Sequence, residues 1–546
     1  MKFNRSTRRM FLQGSGGALV SIPFLSSLLP SEAWAQSTGS PIRRYISIRS
    51  SYEIGHNSSW LPNDGSNIYN LAQPTNVVAG VNGHHNVRWQ NLRDFAPTNA
   101  SVLAPLYGSV ASPYLESMNI LRGLDFMSRD GHSWAVKFGG LEVDHPVEFK
   151  RIQTVDQVLN ANKLFNPLNR PTALLGLTGS SSQIKSADGT IINATRYDRY
   201  FSTIYNGLFS NGTYPESGQT ALLNPRGDVL NRVIGDYNRI NNSKNISASD
   251  KLVLQNAMDK FSDVQKSRVA VSTNSCQYKN FYMTSPYKDS GMWDISKSAD
   301  YKFLADLITL SIICDTARTF GVHNFLYENV HDGLAFDHQI TSHETFGSVN
   351  GKFNWQRMNQ RQKLAFDNLT IPLVKNLSEA IDPSNGKSYL YNSLIYHTTE
   401  SGQVHGSASH PAILFGNAGG NITSGKYIDY SDRAKGAQSG ADLYNKIPGD
   451  PKFSNNWYGV HYNRLLTTIL QSMGLSPADY EDNSINQQFL NRTDLGALNT
   501  NITTPLGGFG HAWTETPVVG KYNYNELVNV VKATDLKQYK YKLPIL

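Results

Sequence analysis

Charge is what this chain has least of. Only 17% of its 546 residues are Asp, Glu, Lys or Arg, where a soluble domain ordinarily carries about a quarter. Neutral polar residues make up the deficit, so the surface is expected to hydrogen-bond more than it attracts ions. No basic run of the nucleic-acid-binding kind occurs, which excludes that class of partner. Cysteine is nearly absent, with only Cys276 and Cys314. Two thiols could pair in an oxidising compartment, but a chain that folds in reducing cytoplasm cannot depend on the bond. Cys314 lies in the apolar run 307–314 and also reads as a small buried hydrophobe. Internal repeats and low-complexity linkers are missing too, and no apolar run has the length of a membrane span.

What is present begins with a leader. Residues 2–9 form a basic stretch, and 14–29 a weakly apolar one interrupted by Pro23. Ala33-Trp34-Ala35 then offers a small-x-small cleavage site. Thr7-Arg8-Arg9-Met10-Phe11-Leu12 matches the twin-arginine export motif, an address read by a receptor and not an anchor. The competing reading is a general secretory leader whose two arginines are adjacent by chance. Residues 1–35 hold four cations and one anion, so their removal lowers the net charge from +7 to +4. The mature chain, 36–546, is long enough for a large core and is expected to be periplasmic or extracellular, with no retained span. The twin-arginine export machinery would be one partner.

Along the chain, Arg44–Ile48 alternates as a strand. Residues 57–97, rich in Asn, Gly and Pro, read as a long surface excursion. A strand is expected at 118–124. A helix is expected at 154–162, with Thr154 as cap and Gln157 three residues on, and a buried strand at 172–177. Leu230, Val233, Ile234, Tyr237 and then Leu252, Leu254, Met258, Phe261, Val264 recur at helical spacing, predicting a helical hairpin inserted at about 217–272. Residues 299–319 predict an apolar helix feeding a strand that includes Val322. A long helix at 352–380, strands at 393–399 and 412–417, and a helix at 461–473 ended by Gly474 follow. From about 483 to 546 the chain is polar and turn-rich, an arm laid over the domain. Strand and helix alternate from 299 to 474, which predicts a single α/β domain with a mostly parallel sheet and helices on both faces.

Half of the 14 histidines fall between 323 and 410, in strands or just after them. In open α/β sheets ligands bind in loops at the carboxyl ends of strands, so 322–347 and 397–410 are the functional candidates.

Several segments together carry a resemblance. They are Arg44–Ile48, Asn119-Ile120-Leu121-Arg122-Gly123-Leu124, Gly131-His132-Ser133-Trp134-Ala135, Thr154-Val155-Asp156-Gln157-Val158, Asp315-Thr316-Ala317-Arg318-Thr319, the histidine cluster, and His410-Pro411-Ala412-Ile413-Leu414-Phe415-Gly416. The chain resembles an exported bacterial family of unknown function marked by His-x-x-Ser-His-His and related to proteins of alkaline-phosphatase-like fold. The resemblance implies a metal-bearing α/β fold. Here the motif reads His338-Gln339-Ile340-Thr341-Ser342-His343-Glu344, with Gln and Glu where histidines are common. The aspartate expected after the first strand is replaced by Ser50-Ser51-Tyr52-Glu53. Glu still binds a divalent ion through oxygen, whereas Gln binds one poorly.

On that basis His338, His343, Glu344, Glu400, His405 and His410 are the candidate ligands of a divalent metal ion of unspecified identity. The alternative makes them ordinary hydrogen-bonding loop residues. His397, inside its strand, reads as a packed histidine. His132 and Ser133 stand at a turn entering a helix, where a hydroxyl is either a nucleophile favoured by the helix's positive end or simply its cap. Trp60, Trp89 and Tyr69 could stack on sugars or pack. Two functions follow. One is an exported metal-dependent hydrolase of phosphate or sulfate esters. The other is a degenerate scaffold binding glycans, other envelope components or an unidentified small molecule.

Overall fold

The structure, a computed structural model, describes residues 11–13, 19–21, 41–53, 60–62, 74–79, 86–95, 112–125, 138–139, 153–176, 182–185, 191–193, 208, 246–253, 255–256, 298–313, 315–324, 348–349, 352–353, 358, 362–363, 365–382, 385–401, 410–432, 459–481, 509 and 542–546. Nine strands form one sheet. In chain order they are β1 (Arg44–Glu53), β2 (Asn76–Val78), β3 (Val87–Asn91), β4 (Met118–Arg122), β5 (Thr172–Gly176), β6 (Thr319–Asn324), β7 (Ser393–Ser401), β8 (Ala412–Phe415) and β9 (Lys426–Asp429). Their spatial order is β2-β3-β9-β4-β8-β7-β1-β6-β5. The labelled helices are α1 (Val155–Ala161), α2 (Ser298–Ile313), α3 (Ile371–Glu379) and α4 (Asn463–Ser472).

The sheet is mixed. β5, β6, β1 and β7 pair in parallel, as do β4 and β9. β8 runs against both its neighbours, and β3 against both of its own. Chain length explains the reversals. Only residues 402–411 join β7 to β8, and 79–86 join β2 to β3. A parallel return needs a crossover of about a dozen residues or more. The expected mostly parallel pairing therefore holds only in the block β5-β6-β1-β7 and the pair β4-β9, although every strand except β3 and β8 points the same way.

Both faces of the sheet are apolar because both are covered. Ile46, Ile48, Phe320, Val322, Ile395 and Ile413 face α2 and α3 in one core. Tyr45, Leu121, Leu394, Tyr396, Leu414 and Ile428 face α1 and α4 in the other. α2 is buried on nearly all sides of its described length, and its buried acid Asp306 accepts a 2.8 Å hydrogen bond from Asn376 on α3. α4 instead has a stripe (Leu465, Leu466, Ile469, Leu470) directed at the sheet. Each such leucine, fully buried, contributes roughly 1.5–3 kcal/mol.

Several boundaries differ from the expectations. The helix read as 299–319 ends at Ile313. Asp315 turns the chain with a φ of 49° and pairs with Arg318 at 2.8 Å, so β6 starts at Thr319. Within 352–380, Lys352–Phe353 is a strand paired with Ser348–Val349. Phe366–Thr370 forms a wide helical turn that leads into α3, with Pro372 in its first turn. The excursion at 57–97 contains two strands of the sheet, too short to stand out in Asn- and Gly-rich text. His461 belongs to a two-residue strand beside Leu124–Asp125, and α4 begins after it. Thr154 occupies the N-cap of α1 with extended backbone but makes no side-chain cap bond.

In the hairpin region only 246–253 and 255–256 are described. There Ser247 accepts the Asp250 N–H at 3.1 Å. Of the C-terminal arm, Phe509 and 542–546 are described, and both lie against α4. The N–H groups of Phe509 and Leu543 donate to the hydroxyls of Thr467 and Thr468 (3.1 and 2.8 Å). Cys276 and Cys314 lie outside the described residues. Among those described, no helix is long and apolar enough to cross a membrane.

Candidate functional site at the carboxyl edge of the sheet

Since all strands but β3 and β8 share one direction, β1, β4, β5, β6, β7 and β9 all end on one edge. Toward that edge the strands bury polar residues: Arg49 and Ser50 on β1, Arg122 on β4, His323 on β6, His397 to Thr399 on β7, and Asp429 on β9. His410, just before the reversed strand β8, joins the same edge. A chain buries charged groups only where partners receive them, and each of these groups has one.

Arg49 and His323 are register partners on adjacent strands and share the α1/α4 face. The Arg49 guanidinium lies 2.8 Å from Nδ1 of His323. Arginine only donates, so the imidazole nitrogen in this contact is the acceptor. On the opposite face, His397 is enclosed between Trp60 and Phe366, with ring centroids 5.3 and 5.4 Å away. Its Nδ1 is 2.9 Å from the Thr370 hydroxyl and its Nε2 3.4 Å from the Ser50 hydroxyl. Burial pushes its pKa down to about 3, because a charged imidazole there would have no water. His397 is a packed, neutral histidine. Trp60, considered above for stacking on a sugar, is 1% exposed and occupied with that packing.

Arg122 and Asp429, also register partners, approach to 3.7 Å. Burial opposes the Arg122 charge, but Asp429 and Tyr427 together hold its pKa above the usual arginine value. His410 is 1% exposed. Its backbone N–H donates to Leu124 O (2.8 Å), and its ring meets Tyr462 edge-on at 6.1 Å. Tyr462 in turn contacts the Tyr396 hydroxyl and lies 3.3 Å from that of Thr398. Burial, then the neighbouring Tyr462, raises the Tyr396 pKa well above normal. Gly459 permits this corner to close. A Cβ on Gly459 would sit 1.9 Å from the Gly123 carbonyl oxygen, so the two backbones touch directly.

Of the candidate metal ligands and catalytic residues named from sequence, only His410 has a described side chain. Glu400 is placed by its backbone in β7. His132, Ser133, His338, His343, Glu344 and His405 lie outside the described residues, as does Tyr69. The segments that carry them (126–137, 325–347 and 402–409) nevertheless follow Leu124–Asp125 beyond β4, β6 and β7, which all end on this edge. Among the described residues, no three His, Cys, Asp or Glu side chains stand together as metal donors. The reason is visible. Both nitrogens of His397 face hydroxyls, His323 faces a cation, and Asp429 is paired with Arg122. His397, His323 and Asp429 are therefore already engaged, and His410 is the one candidate ligand whose side chain is described.

Sequence reading missed Arg49, Arg122, Asp429 and Thr370. A signal existed for the first two: Arg49 follows Ile46-Ser47-Ile48, and Arg122 follows Asn119-Ile120-Leu121. In each case a charge directly follows a short apolar run of its strand. Asp429 and Thr370 carried none.

The fold and this edge define an α/β protein with a mixed sheet, helix-covered on both faces, and a buried polar rim at the strands' carboxyl ends. No protein-family model, curated protein or solved structure matches the chain.

Proposed function

We propose that the carboxyl edge is the working face of an exported, metal-dependent hydrolase of phosphate or sulfate esters, in an alkaline-phosphatase-like arrangement. One observation carries the reading: the strands that lead into all three candidate segments end on the edge where Arg49 and Arg122 are held. Guanidinium groups at strand ends suit an oxyanion, whose oxygens match the arginine fork. The divalent ion would be held by His338, His343, Glu344, Glu400, His405 and His410. When bound it would polarise the ester and favour ionisation of a nucleophile. Ser133 is the proposed nucleophile, with His132 beside it. The protein would act in the periplasm or outside the cell after twin-arginine export.

A second reading has its own support. His323 and His397, two of the edge histidines, are taken up by Arg49 and by packing, as in a scaffold that binds glycans or envelope components without chemistry.

The test is metal analysis of protein purified without chelator, together with turnover of aryl phosphate and aryl sulfate. The hydrolase reading expects bound divalent metal, and turnover that chelator abolishes. His343→Ala and His410→Ala should each lose both metal and turnover while remaining folded by circular dichroism. A metal-free protein, inert toward both esters and indifferent to added zinc, manganese or calcium, would leave the binding scaffold.

A further inference from the structure

We draw no further inference here: the strongest candidate, the hydrogen-bonded turn at residues 162–169 on the amino edge of the sheet, which holds Leu164 (79% exposed) and Leu168 (37% exposed) outward, carries nothing because nothing in the structure shows what covers it.

Discussion

His397 shows how much one buried side chain can tie to pH. Its pKa falls to about 3 in the folded protein, against about 6.5 in an unfolded chain. Between those values the unfolded state binds the extra proton, so stability rises with pH across that window and is lost as pH falls through it. Above pH 7 both states are neutral and the residue contributes no slope. The full span is worth on the order of 5 kcal/mol. Denaturant midpoints measured from pH 4 to 8 should therefore climb steeply in the wild type and less steeply in His397→Gln. That variant does not titrate and can still bond to Thr370. Equal slopes in the two proteins would remove His397 from the acid response.

Arg44 and Asp382 make the complementary case at the amino edge. They meet at 2.6 Å, both buried. Arg44 lies 4.7 Å from the Tyr389 ring centre, and Asp382 also accepts from Asn392 at 3.0 Å. Losing one partner strands a charge and should cost about 3–5 kcal/mol. Asp382→Ala and Arg44→Ala should each cost that much by chemical denaturation, and the double variant clearly less than their sum. Additive costs would mean that the pair is not coupled.

At the scale of elements, α4 is held from two sides. Its leucines face the sheet, while its threonines, Thr467 and Thr468, receive the C-terminal arm. Arg464 donates to the Lys542 carbonyl (2.8 Å), and the Tyr430 hydroxyl to that of Pro544 (2.9 Å). Leu543 is 1% exposed. Deleting residues 542–546 removes these bonds and uncovers the α4 back. The loss should be about 3–5 kcal/mol, the sum of one buried leucine and a few hydrogen bonds. Thermal melting of the truncated chain checks it, and an unchanged melting temperature would show that the arm adds nothing to α4. The α2–α3 layer makes the contrasting case. Its contacts are almost wholly apolar, with the Asn376–Asp306 bond as their polar clip, and among the described residues no segment near the chain end takes part.

For the molecule as a whole, the proposed export address can be tested apart from the fold. Arg8 and Arg9 lie outside the described residues. Replacing both with Lys should leave an uncleaved precursor in the cytoplasm, seen by fractionation and immunoblot, while the trapped protein keeps the wild type's circular dichroism. Normal export of the double variant would assign the leader to the general secretory route.

Legibility followed the length and uniformity of each segment. β1, β4, β7, β8, α1 and α4 were readable because each repeats an apolar pattern over its own span. β2 and β3 were not, since three to five residues hold too little pattern to outweigh the glycines around them. The end of α2 was also hidden. It is set by Asp315 turning left-handed and clasping Arg318, which requires knowing that Asp315 also meets Arg170 and that Arg318 reaches the Phe165 carbonyl. The functional reading divides the same way. Composition and histidine spacing are local properties, so the sequence alone pointed to an α/β chain with two covered faces and to the segments expected to matter. Only the tertiary structure decided that β3 and β8 reverse, that Trp60 serves packing, and that Arg49 meets His323 while Arg122 meets Asp429. Those pairings join residues up to 307 positions apart. Which strands become neighbours depends on the free energy of the whole sheet and not on any one stretch of it.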